Sequence, residues 1–448
     1  MNNKSITKNQ KTKQKGFITS TNLILFAFAT SFFPRILAAV GFPSLINFAH
    51  FISVPFALLV AITQTKTNSI KQIAISYKLL TGLFVFLFAM FASALVNQAG
   101  AINAIIDYLL LAEPFMLLLA IVCIPISAAK LKFFKKFLLI CASINLLLAF
   151  IQKPLIDSGK LNAEGFDGTD GAQGVFFVSG AGNYVSATVS LKFGLYYFFS
   201  ARTTNIWFRF AWLGAAFLQL IISDSKQIII ASGLAFAILA LANTKDLGKT
   251  LLYVIAVIIG FSVFIWCANN LEAFSAFKNG IDKLQEWGPG GAAREIKTAP
   301  FRIATSYYTS LLNWLFGLGP GHTFGRMGGW FLQDYSNLFI PLHGTTHPAS
   351  YDAWLAYYGN WIALESTLYH PFFGWAGIWG DLGFTGLGSY LYLASIVWRH
   401  LCVGELSKFF MLVVFAVGLI FTQMEEPGYM LFTSMLIGLQ WQEQNLKT

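Results

Sequence analysis

Twelve runs of mostly apolar residues dominate this chain, and few folds can accommodate them. A helix needs about 17 to 25 such residues to cross some 30 Å of hydrocarbon. The runs fall at about 17–38, 42–63, 79–97, 104–128, 133–151, 175–199, 206–222, 227–243, 250–268, 383–401, 408–423 and 428–441. The expectation is an all-α polytopic membrane protein of about twelve transmembrane helices. A hydrophobic fraction of 56%, only 11% charged residues and a mean hydropathy of +0.62 agree, since soluble domains lie far from these values.

The basic residues set an orientation, because Lys and Arg concentrate in cytoplasmic connections. Lys4 to Lys15 precede the first run, Lys66, Lys71 and Lys78 follow the second, and Lys130, Lys132, Lys135 and Lys136 begin the fifth. With Arg202, Arg209, Lys245, Lys249, Arg399, Lys408 and Lys447, 19 of the 30 Lys and Arg fall on one face, opposed only by Asp246, Glu405 and Glu443. That face reads as cytoplasmic and carries both termini. Asp157, Glu164, Asp167 and Asp170 fall on the other.

The net charge of +10 does not mark a nucleic-acid binder, because no basic domain gathers it. Cys123, Cys141, Cys267 and Cys402 lie in or beside apolar stretches without CxxC spacing, so they read as small buried hydrophobes. The lysines before the run from Phe17 imitate a signal peptide. That run lacks a small-residue cleavage site and leads into further apolar segments, so an uncleaved first span is expected. The first fifteen residues are polar and expected to be disordered.

Three parts follow: an N-terminal bundle of about nine spans (1–268), a large external loop (269–371) and about three C-terminal spans (372–448). The loop is too polar to cross a bilayer, yet its Trp, Phe and Tyr residues give it enough apolar surface to pack into short helices. Long loops without structure of their own are uncommon and usually functional.

Candidate chemistry concentrates there. Arg294, Arg302 and Arg326 offer planar forks of donors that stay charged and suit a diphosphate. The segment Gly317-Leu318-Gly319-Pro320-Gly321 lets backbone N–H groups approach an anion, through Gly319 and Gly321. It follows no strand and lacks the Lys-Ser/Thr of a P-loop. His322, His343, His347 and His370 raise the question of a metal. Pro348 disfavours a helical His347, and no Glu completes an HExxH, so no metal is expected and an imidazole base or phosphate contact suits better. Within the apolar runs, Asp107, Glu113 and Lys192 are ionisable and therefore functional candidates. Lys192 reads equally as a cavity-facing or a structural cation. Lys226 sits in the turn Ser223-Asp224-Ser225-Lys226, either as an interfacial anchor or as a substrate contact.

From Arg302 onward the chain resembles the O-antigen ligase and polymerase family, the Wzy-type enzymes of bacterial surface polysaccharide assembly. Arg302 followed after about fifteen residues by Gly317–Gly321 is similar to one family segment. His370-Pro371 followed by Gly380-Asp381-Leu382-Gly383-Phe384-Thr385-Gly386 is similar to another, with Pro371 where Asn is usual. Ser225-Lys226 resembles a Ser-Arg pair upstream of the loop. The resemblance implies a GT-C-like membrane glycosyltransferase in the bacterial cytoplasmic membrane. Its donor would be a polyprenyl-diphosphate-linked oligosaccharide and its acceptor a sugar hydroxyl, with no cofactor. It also implies possible partnership with a flippase and a chain-length regulator. The roles implied are Arg302 on the diphosphate, assisted by Arg294 or Arg326, His370 as the base, and Lys226, Lys192 and His322 as further contacts. Polymerase is the leading expectation, with ligase or flippase as alternatives.

Overall fold

A computed structural model describes residues 19–64, 69–161, 171–177, 182–243, 247–270 and 283–446. The N-terminal lysines up to Lys15, Lys66, the acidic group Glu164, Asp167 and Asp170, Lys245 with Asp246, Lys447, and the start of the loop at 271–282 lie outside the described residues.

Among the described residues the structure is helical without strands, and each apolar run contains helix. The first run is broken: α1 (Ser20–Phe32) gives way to α2 (Pro34–Ala39) because Pro34 takes the first position of a new helix, where its missing N–H costs nothing. The second is a 3-10 turn at Ser44–Phe48 leading into α3 (His50–Gln64). There follow α4 (Ile70–Val96), α5 (Ala101–Cys123), α6 (Ala128–Asp157), α7 (Gly182–Ser200), α8 (Ile206–Ile222), α9 (Lys226–Asn243) and α10 (Leu247–Asn270). Among the described residues, four stretches are long and apolar enough to cross a membrane: Ser44–Thr63, Ile70–Val96, Ala101–Cys123 and Ala128–Asp157.

The loop packs into α11 (Ala292–Ser306), α12 (Leu311–Phe316), α13 (Leu332–Phe339), α14 (Pro348–Tyr358) and α15 (Trp361–Glu365). Its aromatic residues supply the apolar contacts, with the Trp354 ring 4.8 Å from Phe372 and Tyr308 5.8 Å from Trp379. The chain ends with α16 (Gly374–His400), α17 (Glu405–Gly418) and α18 (Pro427–Asn445). Helix α16 begins nine residues before the apolar run that marked it, its first turns interleaving buried glycines (Gly374, Gly377, Gly380) with the buried Ile378 and Trp379.

Helix α5 is the centre: it packs against α3, α4 and α18, and its residues from Leu110 to Cys123 are continuously buried. Polar residues join the helices around it. Asn145 Nδ2 donates to Ser190 Oγ at 2.9 Å and to the Ser186 carbonyl at 3.0 Å, and Gln219 Nε2 reaches Ser186 Oγ at 2.6 Å. Such side-chain bonds hold helices together where the surroundings offer no competing water. On the periphery, Trp207, Phe208, Phe210 and Ile221 of α8 are exposed.

The connections read as external share one end of the bundle. Gly100 donates to Thr345 Oγ1 at 2.9 Å, Gln227 Nε2 to Ser366 Oγ at 3.2 Å, and Lys297 Nζ to the Ile420 carbonyl at 3.1 Å. Connections read as cytoplasmic meet elsewhere: Lys78 Nζ donates to His400 Nε2 at 3.0 Å, and Lys135 pairs with Glu443 at 2.7 Å.

Candidate anion-binding cleft

Two glycine-rich segments meet at the loop end of the bundle. Gly317 (φ +68°) lies so close to α16 that a Cβ would stand 2.5 Å from the Asp381 carbonyl. Gly383 (φ +62°) breaks α16, and its Cβ would stand 2.5 Å from the Leu315 carbonyl carbon. Both positions need glycine for conformation and for space. Leu318 N–H then donates to the Gly380 carbonyl at 2.8 Å and Gly319 N–H to that of Asp381 at 3.0 Å.

The side chain of Asp381 completes the joint. Its Oδ2 accepts from Gly321 N–H at 3.0 Å and its Oδ1 from the Thr323 hydroxyl at 2.6 Å. The N–H groups of Gly319 and Gly321, expected to meet a diphosphate, thus have acceptors within the protein. The glycines build the floor of the site.

His322 is likewise engaged within the protein. Its Nδ1 lies 2.8 Å from the Leu318 carbonyl, which can only accept, so Nδ1 carries the proton. Nε2 then accepts from the Thr345 hydroxyl at 2.8 Å, and that hydroxyl in turn receives the Gly100 N–H. Burial lowers the ring to about 4, outweighing the Leu318 carbonyl, so it is neutral at pH 7 and both nitrogens are used. His347 caps α14, its Nδ1 accepting from Ala349 N–H at 3.1 Å, while His343 holds a left-handed turn with φ +59°. The His322 and His347 rings stack with centroids 5.7 Å apart, while the nitrogens named above are taken by protein groups.

The two ends of the loop do not form the expected pair. Arg302 lies on the outer side of α11, 61% exposed, with Nη2 donating to the Glu295 carbonyl at 2.9 Å. Arg294 is exposed on the same helix. His370 packs edge-on to Tyr357, ring centroids 4.4 Å apart, and burial followed by the nearby Lys297 charge lowers it to about 3. The cation beside His370 is therefore Lys297, which sequence reasoning missed. Lys297 lies over the Phe373 ring at 4.9 Å, and burial lowers it to about 7. A signal existed, in that Lys297 sits beside the buried positions Ile296 and Ala299 of an amphipathic helix.

Lys192 and Lys226 stand apart from one another. Lys192 is fully buried between α7 and α18, donating to Thr433 Oγ1 at 2.7 Å and lying over the Tyr429 ring at 3.9 Å. Lys226 pairs with Asp224 at 2.7 Å in the turn before α9.

Arg326 is the loop arginine that reaches a cleft. It follows the glycine-rich turn, pairs with Glu426, and lines a cleft of about 470 Å³, open solvent included. Arg35 of α2 lines the same cleft. Burial and then the Arg35 charge lower Arg326 to about 10, which leaves it charged at pH 7. A guanidinium has five donors, so pairing with one carboxylate leaves capacity for a second anion.

His50, at the start of α3, also lines the cleft. Its Nδ1 lies 2.7 Å from Glu113 Oε2 of α5, with the two side chains 3% and 1% exposed. Glu113 stands out in the sequence as an ionisable residue within an apolar run, and the same criterion applies to His50 and Arg35, which sequence reasoning passed over. The cleft brings together two guanidinia, that of Arg326 paired with Glu426, which also lines it, and an imidazole held by a carboxylate.

No model of a known protein family matches the chain, and no curated protein matches it.

Proposed function

We propose that the protein is a membrane glycosyltransferase that moves an oligosaccharide from a polyprenyl-diphosphate carrier to a sugar hydroxyl, as an O-antigen or exopolysaccharide polymerase. The observation that carries this reading is the shared lining of one cleft by Arg35 and Arg326 at the loop end of the helical bundle. The packing of Gly317–Gly321 on Gly380–Gly386 supports it, because these are the two segments that resemble the family.

The chemistry fits those groups. A diphosphate is already a good leaving group, so the protein has mainly to neutralise its developing charge and accept the acceptor's proton. The guanidinia of Arg326 and Arg35 take the diphosphate, and the planar fork matches its oxygens. Phe48, Phe51 and Tyr335 line the cleft and offer ring faces to a sugar. Arg302 has no part in this centre.

In this reading all twelve apolar helices cross a bacterial cytoplasmic membrane in a GT-C-like arrangement, with both termini in the cytoplasm and the cleft on the outer face. The basic connections at the opposite end supply the orientation. Lipid-linked oligosaccharide arrives at that face from a flippase, and a chain-length regulator is a natural partner.

The test uses purified protein in lipid discs with lipid-linked oligosaccharide extracted from source cells deleted for this protein, and no nucleotide sugar. A product ladder is the expected result. Attachment only to an added acceptor would instead mark a ligase, and transbilayer movement without new glycosidic bonds would mark a flippase.

A further inference from the structure

We infer that His50, positioned by Glu113, is the group that takes the proton from the acceptor hydroxyl. The inference rests on the glycosyl-transfer reading and goes beyond it by assigning the base to the membrane helices and not to the loop. With Glu113 ionised, its Oε2 at 2.7 Å accepts the Nδ1 proton, which leaves Nε2 as the acceptor. Nε2 makes no hydrogen bond to the described residues, and His50 lines the same cleft as the two arginines.

The pair is costly as a purely structural feature. Glu113 is 1% exposed, its Oε1 is buried without a hydrogen-bond partner, and a buried carboxylate with its polar partner is often replaceable by apolar residues without loss of stability. Asn47 Oδ1, also in the cleft lining, is a second buried oxygen without a partner and suits a sugar hydroxyl. None of the loop histidines lines this cleft: His322 uses both nitrogens, His347 caps a helix through Nδ1, His370 lies against Lys297 and Tyr357, and His343 is exposed on its turn.

In the step, the acceptor O–H proton passes to Nε2 as that oxygen bonds to the anomeric carbon. The bond from the anomeric carbon to phosphate oxygen breaks, and its electron pair leaves with the lipid diphosphate. Glu113 stabilises the imidazolium, which returns its proton to water at the cleft mouth.

The test is single-turnover transfer in lipid discs, using the extracted lipid-linked oligosaccharide, alongside binding of sugar-free polyprenyl diphosphate. His50→Gln should cut the transfer rate at least about 100-fold, the usual contribution of a positioned base, with diphosphate affinity within about twofold of wild type. Glu113→Gln keeps a hydrogen bond to the ring but loses the charge, and should lower kcat about tenfold with KM unchanged. Wild-type transfer by His50→Gln overturns the inference while leaving the transferase reading intact. Equal loss of diphosphate binding and transfer in both variants assigns the pair a structural role and also overturns it. If His50→Gln does not fold, Glu113→Gln decides: unchanged kcat overturns the inference. A wild-type protein that makes no product from this donor overturns the transferase reading and the inference together.

Discussion

Asp381 Oδ2 accepts the backbone N–H of Gly321 at 3.0 Å, joining two residues sixty positions apart in the chain. With Thr323 on its other oxygen, this carboxylate fixes the entry of the loop to α16 and so fixes where Arg326, five residues after Gly321, emerges. Removing it should loosen the site before it unfolds the bundle. Asp381→Ala leaves a buried N–H and a buried hydroxyl unpaired, at about 1–3 kcal/mol each. The expected result is a lowered melting temperature in detergent, with Asp381→Asn affected less because its amide oxygen still accepts.

Gly383→Ala should be among the most disruptive single-methyl changes in the chain. The residue has φ +62°, and the added Cβ would stand within 2.6 Å of the backbone around Leu315 and Gly317. A strained conformation and a backbone clash together cost several kcal/mol, about 1–3 from the conformation alone. Gly388→Ala on the same helix, where a Cβ meets nothing within 4 Å, should be tolerated. Comparing the two by thermal unfolding separates loop docking from a general intolerance of α16.

The two arginines should part company in binding. Arg326→Lys keeps a charge beside Glu426 but loses the planar fork, and should weaken polyprenyl diphosphate binding about tenfold, or about 1.4 kcal/mol. Arg302→Ala removes an exposed side chain and should change neither binding nor stability by more than about 0.5 kcal/mol. Equal losses in the two variants would return Arg302 to the site.

His322 should make an acid-sensitive contribution to loop stability. His322 is neutral when folded, with its ring lowered to about 4 from an unfolded value of 6.5. Between those values the unfolded chain binds more protons, so the contribution of this residue is full above pH 6.5 and is lost as pH falls to about 4, a window worth about 3 kcal/mol at most. His370, lowered by burial and Lys297, acts in the same direction. Melting temperatures at pH 7.5, 5.5 and 4.5 should show the part due to this residue as a difference: the gap between wild type and His322→Gln should change between pH 7.5 and 4.5 in the sense of wild type losing more on acidification.

Lys192→Met should preserve transfer and diphosphate binding. The ammonium meets Thr433 and Tyr429 inside the bundle and does not line the cleft, and methionine approximates the volume of its stem. A collapse of activity with an unchanged melting temperature would give Lys192 a functional role.

The helices were legible because their signal is local. Apolar runs and turn residues lie next to one another in sequence, and α8 occupies 206–222, the same limits as its run. The start of α16 was not legible: its first turns are glycine-rich, and only the loop lying on them makes a helix there favourable. Charge placement likewise separated the two groups of connections that the fold brings to different places.

What the residues of the site do was decided only by the tertiary structure. Residue spacing does not say which side of a helix will be buried. Lys297 and Arg302 are five positions apart on α11, so they point about 140° away from each other, one toward Phe373 and the other to the outside. The pairing of His50 with Glu113 spans 63 positions and exists only because α3 packs on α5. By itself the sequence determined an all-helical, membrane-suited chain with a folded loop, since hydrophobicity and turn chemistry act over a few residues. Which cations and acids share a cleft depends on how helices distant in sequence rotate and pack, and that is a property of the assembled bundle.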